Sequence, residues 1–118
     1  GRTGTPRAYK PFNAGYEYAL RKSLHDGGPF YYADPFGGNA GFWFALDNGQ
    51  ITAVAVSQPN DPNCAVRWRG SKQTFVDCHD APVALSALAR YPVTYQGSDK
   101  ETTVYVDLRS QVPAPTKP

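Results

Sequence analysis

Apolar and polar positions along this chain alternate over short runs, and a glycine, a proline or an Asn-Gly pair breaks each run. That pattern predicts many short strands rather than a few long helices. Phe30 to Ala33 reads as an aromatic strand ended by Asp34-Pro35, with a turn at Gly37-Gly38-Asn39. Phe42 to Leu46 (FWFAL) and Ile51 to Val56 (ITAVAV) follow. The Asp47-Asn48-Gly49 between them is a strong hairpin signal, because Asn-Gly tolerates the positive φ of a tight turn. In the second strand Ile51, Ala53 and Ala55 share one face and Thr52, Val54 and Val56 the other, both apolar enough to be covered.

Gln58 to Asn63 is a loop with two prolines. Ala65–Arg69 and Thr74–Val76 predict a hairpin around Arg69-Gly70-Ser71-Lys72. A short irregular or helical stretch follows over Ala81–Ala89. Tyr91–Tyr95 and Thr102–Leu108 predict a last hairpin around Gly97-Ser98-Asp99. Pro92 has no N–H to donate, which places its strand at an edge or a bulge. About seven or eight short strands at regular spacing point to a small antiparallel barrel or sandwich.

Only Tyr16 to Leu24 breaks the pattern. Ala19, Leu20 and Leu24 sit near helical spacing, and His25-Asp26-Gly27-Gly28-Pro29 stops the run, glycine followed by proline being the usual order. The segment is short enough to serve equally as an edge strand. Residues 1–23 are expected to form an N-terminal arm, helical in part, with Pro6 and Pro11 punctuating its start. The folded domain is expected over 24–109. A proline-rich tail over 110–118 should be extended or disordered.

Composition narrows the function. A chain of 118 residues holds one modest core, and 11 Gly with 11 Pro exclude a helix bundle of this size. The formal charge of +2, with no run of Lys or Arg, argues against nucleic-acid binding through phosphate neutralisation. No stretch approaches the roughly 18 apolar residues of a membrane span, and no signal-like segment opens the chain. Membrane association is therefore expected only through a segment preceding residue 1.

Two cysteines, Cys64 and Cys78, are too few for a four-cysteine zinc site. They form either one disulfide, as is common for an even pair in a small, loop-rich domain of an oxidising compartment, or two free thiols of a cytosolic protein. A bridge would close a loop of about 15 residues, worth about 3 kcal/mol in the chain-entropy model.

The order of elements resembles a known family. A strand reading ITAVAV runs into a loop with one cysteine, then Ala65-Val66-Arg67-Trp68-Arg69-Gly70. A second strand ends in Phe75-Val76-Asp77-Cys78-His79, and Ala89-Arg90-Tyr91-Pro92-Val93 comes later. This resembles the Rieske iron–sulfur domain of respiratory and photosynthetic quinol-oxidising complexes. The Asp26-Gly27-Gly28-Pro29 opening and the Val104-Tyr105-Val106-Asp107-Leu108 ending are similar to it too, so the likeness covers Leu24 to Arg109. In that family one loop reads C-x-H-x-x-C and the other C-x-C-H. The first cysteine and the histidine of each loop hold a [2Fe–2S] cluster, and the two remaining cysteines form a disulfide that pins the loops together.

Carried over position by position, the resemblance makes Cys64 and Cys78 the disulfide pair rather than iron ligands. The four ligand positions fall on Pro59, Asp61, Val76 and His79, and only His79 keeps a ligand's identity. The stretch after it is shortened to Asp80-Ala81-Pro82. A Rieske centre needs two thiolates on one iron and two imidazoles on the other. Proline and valine offer no donor atom, and a carboxylate at Asp61 suits hard cations rather than a sulfur-rich site. No bound cofactor or metal is expected, His79 and Asp61 being weak metal candidates.

The resemblance thus implies an all-β, Rieske-like domain stapled by one disulfide, facing an extracytoplasmic (periplasmic, lumenal or cell-surface) space. Its expected role is that of a structural or interaction subunit with protein partners, among them the subunits of a membrane electron-transfer complex. Two alternatives stand beside it. One is a working [2Fe–2S] electron-transfer protein with misaligned or substituted ligands. The other is a secreted β-sandwich module that binds carbohydrate or protein through exposed aromatics such as Tyr31, Trp43 and Tyr95.

No convincing catalytic constellation is present. Cys78 and His79 are strand neighbours that point to opposite faces, which speaks against a Cys–His nucleophile. Nothing around Ser57 looks like a nucleophile elbow that would join Asp61 and His79 in a triad. Gly37–Gly41 is flanked by two strands rather than leading into a helix, so it is a turn and not a phosphate loop.

Overall fold

A computed structural model describes residues 11–33 and 41–114. The turn expected at Gly37-Gly38-Asn39, the Asp34-Pro35 strand end, Pro6 and residues 115–118 lie outside the described residues. Ten strands run in the order β1 (Phe12–Tyr16), β2 (Phe30–Tyr32), β3 (Phe42–Asp47), β4 (Gln50–Val54), β5 (Arg67–Arg69), β6 (Thr74–Val76), β7 (Pro82–Val83), β8 (Arg90–Tyr91), β9 (Val93–Gln96) and β10 (Thr103–Val106). One α-helix, α1 (Glu17–Gly27), separates β1 from β2, and single 3₁₀ turns lie at Leu85–Ala87 and Asp99–Glu101.

The strands form three antiparallel sheets, ordered β1-β10-β9, β2-β3-β4-β8 and β5-β6-β7. The sequence pattern suggested a small antiparallel barrel or sandwich. Among the described residues the strands form separate small sheets, and no barrel closes. The four-stranded sheet is the middle layer because its strands are apolar on both faces. Along β3 and β4, Phe42, Phe44, Ile51 and Ala53 enter one core with Leu20, Leu24, Val104 and Val106. The alternate residues Ala45 and Val54 enter a second core with Val66, Phe75, Val83 and Leu88. Period-two alternation is what lets one strand serve two cores.

The β3–β4 hairpin turns at Asn48 (φ 52°) and Gly49 (φ 80°), with Asp47 paired to Gln50. Two consecutive positive φ values match the right-handed twist of the flanking strands, and Asn-Gly supplies them at least cost.

The segment that the sequence left open between helix and edge strand is helical. It runs three residues past Leu24, to Gly27. Leu20 and Leu24, one turn apart, are its buried face against the first core. Glu17 pairs with Arg21 and Lys22 with Asp26 on the solvent side, each at i,i+4. Gly28 (φ 80°) ends it by donating its N–H to the Leu24 carbonyl, and Pro29 follows. Residues 12–23, expected in the arm, supply β1 and most of α1, and the boundary expected at residue 24 falls within the helix. At the other end, Val112 pairs with Arg90 through reciprocal backbone hydrogen bonds of 2.6 and 2.9 Å.

The strand expected over Tyr91–Tyr95 is divided by Pro92. Arg90–Tyr91 pairs with β4 in the middle sheet, and Val93–Gln96 pairs with β10 in another. A residue without an N–H interrupts the ladder there, and the chain changes sheets at the interruption. The Pro92 carbonyl still accepts from the Asp107 N–H at 2.9 Å.

Candidate functional site

Pro59, Asp61 and Cys64 lie on the loop leaving β4, and Cys78 and His79 on the loop joining β6 to β7. The first loop is a run of turns. Asp61 N–H donates to the Gln58 carbonyl (3.0 Å) and Cys64 N–H to the Asp61 carbonyl (3.1 Å). Its base is closed by the Ser57–Ala65 bridge and by Val66 N–H donating to the Val56 carbonyl at 2.8 Å. These backbone bonds bring Cys64 back beneath the loop, where it is buried.

The second loop is held by one side chain. Asp77 Oδ1 accepts the His79 N–H (2.8 Å) and the Ala81 N–H (3.0 Å). The Asp77 carbonyl accepts from Asp80 N–H at 3.0 Å, and the Asp77 N–H donates to the Ala81 carbonyl at 2.9 Å. An aspartate that bonds its own downstream backbone makes such a turn without help from the sheet. The Ala81 amide bond, against a desolvation effect and reinforced by the His79 amide and charge, holds the Asp77 carboxyl below its usual value. Asp80 sits at positive φ (65°) and aims its carboxylate back at β5, where Arg67 (3.2 Å) and Arg69 (3.0 Å) both donate to it.

Cys64 and Cys78 form a disulfide that ties the two loops, with Cα atoms 5.2 Å apart. Of the two alternatives that composition left open, free thiols are therefore excluded. Its two sulfurs differ in environment. Cys64 is buried and accepts a hydrogen bond from the Cys78 N–H at 3.0 Å, whereas Cys78 is exposed. Cys78 and His79 lie in a turn beyond β6 and not on a strand, so they do not face apart as strand neighbours would: exposed His79 places a ring nitrogen within 4.8 Å of both sulfurs.

Of the four positions that the resemblance assigns to cluster ligands, only Asp61 and His79 carry a side-chain donor atom. Val76 is fully buried in β6, opposite Arg67 and Pro82. Pro59 and Asp61 are exposed on the turns of the first loop. Among the described residues the one group of three metal-capable side chains that converges is Cys64, Cys78 and His79, and Asp61 stands outside it. A triad of Ser57, Asp61 and His79 therefore lacks the carboxylate that would orient the imidazole. The residues do not fit a [2Fe–2S] cluster: two of the four positions carry no donor atom, and both thiols are spent on the disulfide.

The aromatic set divides between core and surface. Phe42 and Phe44 are fully buried. Trp43 is half-buried and packs edge-on against Phe75 at 5.2 Å, so it joins the middle sheet to the disulfide-bearing one. Tyr31 lies half-exposed over Trp43, while Tyr95 is exposed on β9 of another sheet. Tyr16 and Tyr18, exposed and stacked at 5.9 Å, were not singled out by pattern because they bracket the start of α1.

Two shallow clefts flank this region. One of about 430 Å³ lies between the end of α1 and Trp68, and one of about 360 Å³ between Ala55–Pro59 and Tyr91. No family model, curated protein or solved structure matches this chain. No helix among the described residues is long and apolar enough to cross a membrane, and the disulfide is compatible with an oxidising, extracytoplasmic location.

Proposed function

We propose that this chain is a Rieske-like domain that has lost its iron–sulfur cluster and serves as an extracytoplasmic structural or interaction subunit, accessory to a membrane electron-transfer complex. One observation carries the reading: the disulfide ties the loop after β4 to the loop after β6, with His79 beside it. That is where the resemblance puts the bridge and the one retained ligand. The loop frame is kept while the donors are gone, which favours a role for the fold without its redox chemistry. A pinned, hydrogen-bonded tip with an exposed Cys78-His79 edge is a surface for a protein partner rather than a pocket for a small substrate.

The test is restoration. The triple variant Pro59→Cys, Asp61→His, Val76→Cys returns the two missing thiolates and the missing imidazole. After reconstitution with iron and sulfide it is expected to show the optical and paramagnetic spectrum of a reducible [2Fe–2S] centre, while the unaltered protein purifies without iron or acid-labile sulfide. A reducible cluster in the unaltered protein would overturn the reading. So would a folded triple variant that takes up no cluster.

A further inference from the structure

The Cys64, Cys78 and His79 group reaches beyond the proposed function and does not depend on it. We propose that reduction of the Cys64–Cys78 disulfide converts this tip into a site for a single soft divalent cation of the zinc class. Two thiolates and the His79 imidazole are its protein ligands, and a fourth position is open to water.

Donor chemistry and placement support the site together. Sulfur and imidazole nitrogen are the ligands that zinc-class ions prefer, and a two-cysteine, one-histidine set with an open position is an established catalytic-type arrangement. The three donor atoms already lie within 4.8 Å of one another. A tetrahedral ion with bonds of about 2.0–2.3 Å sets its ligands roughly 3.3–3.8 Å apart. Reduction must therefore let the two sulfurs part from bonding distance and the His79 nitrogen close in from at most 4.8 Å, movements that side-chain rotation supplies. The frame does not rely on the disulfide alone. Asp77 fixes the second loop through the His79 and Ala81 amides, and Asp80 is anchored to Arg67 and Arg69. The first loop is closed at its base by the Ser57–Ala65 bridge and the Val66–Val56 hydrogen bond.

The switch is chemically balanced with a dithiol as reductant. Its thiolate attacks the sulfur of Cys78, the exposed residue of the pair, forming a mixed disulfide, and the Cys64 sulfur leaves with the electron pair of the broken bond. The Cys78 N–H, 3.0 Å from that sulfur, stabilises the leaving thiolate. The second thiol of the reductant then displaces Cys78 and leaves as an intramolecular disulfide, so two electrons pass to the protein. Binding of the cation holds both cysteines as thiolates and releases whatever thiol protons remain.

Cobalt(II) titration of the full chain under anaerobic conditions tests this, after reduction and removal of the reductant. The reduced protein is expected to take up one equivalent with a thiolate-to-cobalt charge-transfer band and tetrahedral d–d absorption, which zinc then displaces. The disulfide form should give no such bands. His79→Ala should weaken binding by about ten-fold or more, while His25→Ala, at the other histidine, should bind as the unaltered protein does. Circular dichroism before and after metal addition checks that the reduced chain is folded when it binds. Absence of thiolate–cobalt bands in the reduced protein would overturn the proposal, and so would equal affinity in His79→Ala or binding by an unfolded chain that metal does not refold.

Discussion

At the scale of single residues, Asp77 does more for the site than the residues that drew attention in the sequence. It carries no metal-binding or nucleophilic signature, yet its carboxylate holds the turn on which Cys78 and His79 are presented. Because its folded carboxyl is held below the usual value, its stabilising effect is complete above the ordinary carboxylate range. The effect is lost as pH falls through the lowered folded value. Protection of the His79 and Ala81 amides, their exchange rate relative to the intrinsic rate at each pH, is expected to fall in acid over that window. Asp77→Asn keeps an acceptor and should remove the carboxyl's pH dependence, and Asp77→Ala should give fast exchange at every pH. Exchange at these two amides that is unchanged in Asp77→Ala would mean the turn stands without the side chain.

At the scale of elements, α1 and β1 decide what counts as the domain. The helix is short, its N-cap Tyr16 makes no side-chain cap, and a helix of this length is marginal alone. Its stability comes from docking Leu20 and Leu24 against Phe42, Phe44 and Val104. Leu24→Ala is therefore expected to cost about 2–5 kcal/mol by denaturant unfolding, and a loss under about 1 kcal/mol would mean that the helix is not seated on the core. The sequence placed a helix candidate here but assigned it to an arm, because an eleven-residue element with two inward leucines shows its partner only when the partner is folded against it. β1 was illegible for the same reason. Phe12-Asn13-Ala14-Gly15-Tyr16 has weak strand propensity, and its partner β10 lies about ninety residues away.

At the scale of the whole molecule, three small sheets share two cores, and the sheet that carries the site is the smallest. It holds β5, β6 and the two-residue β7. Phe75 fastens it to the middle sheet through Trp43, and the disulfide is the covalent tie between its β6–β7 loop and the loop leaving β4. Reduction in metal-free buffer should cost about 3 kcal/mol, a fall in melting temperature on the order of 10 °C for a domain of this size. Unchanged melting after complete reduction would show that hydrogen bonds and packing hold the loops without it.

The residues by themselves determined the strand-rich class, the Asn48-Gly49 hairpin and the apolar faces of β4. All of these rest on local stereochemistry or a period of two, which a short window of sequence contains. Only the tertiary structure decided that the described strands form three sheets that do not close, that β1 and α1 dock on the core, and that the His79 ring converges on the Cys64 and Cys78 sulfurs while the Asp61 carboxylate does not. Those outcomes depend on which distant segments pack together, and burial of apolar surface between them leaves no mark in any one segment.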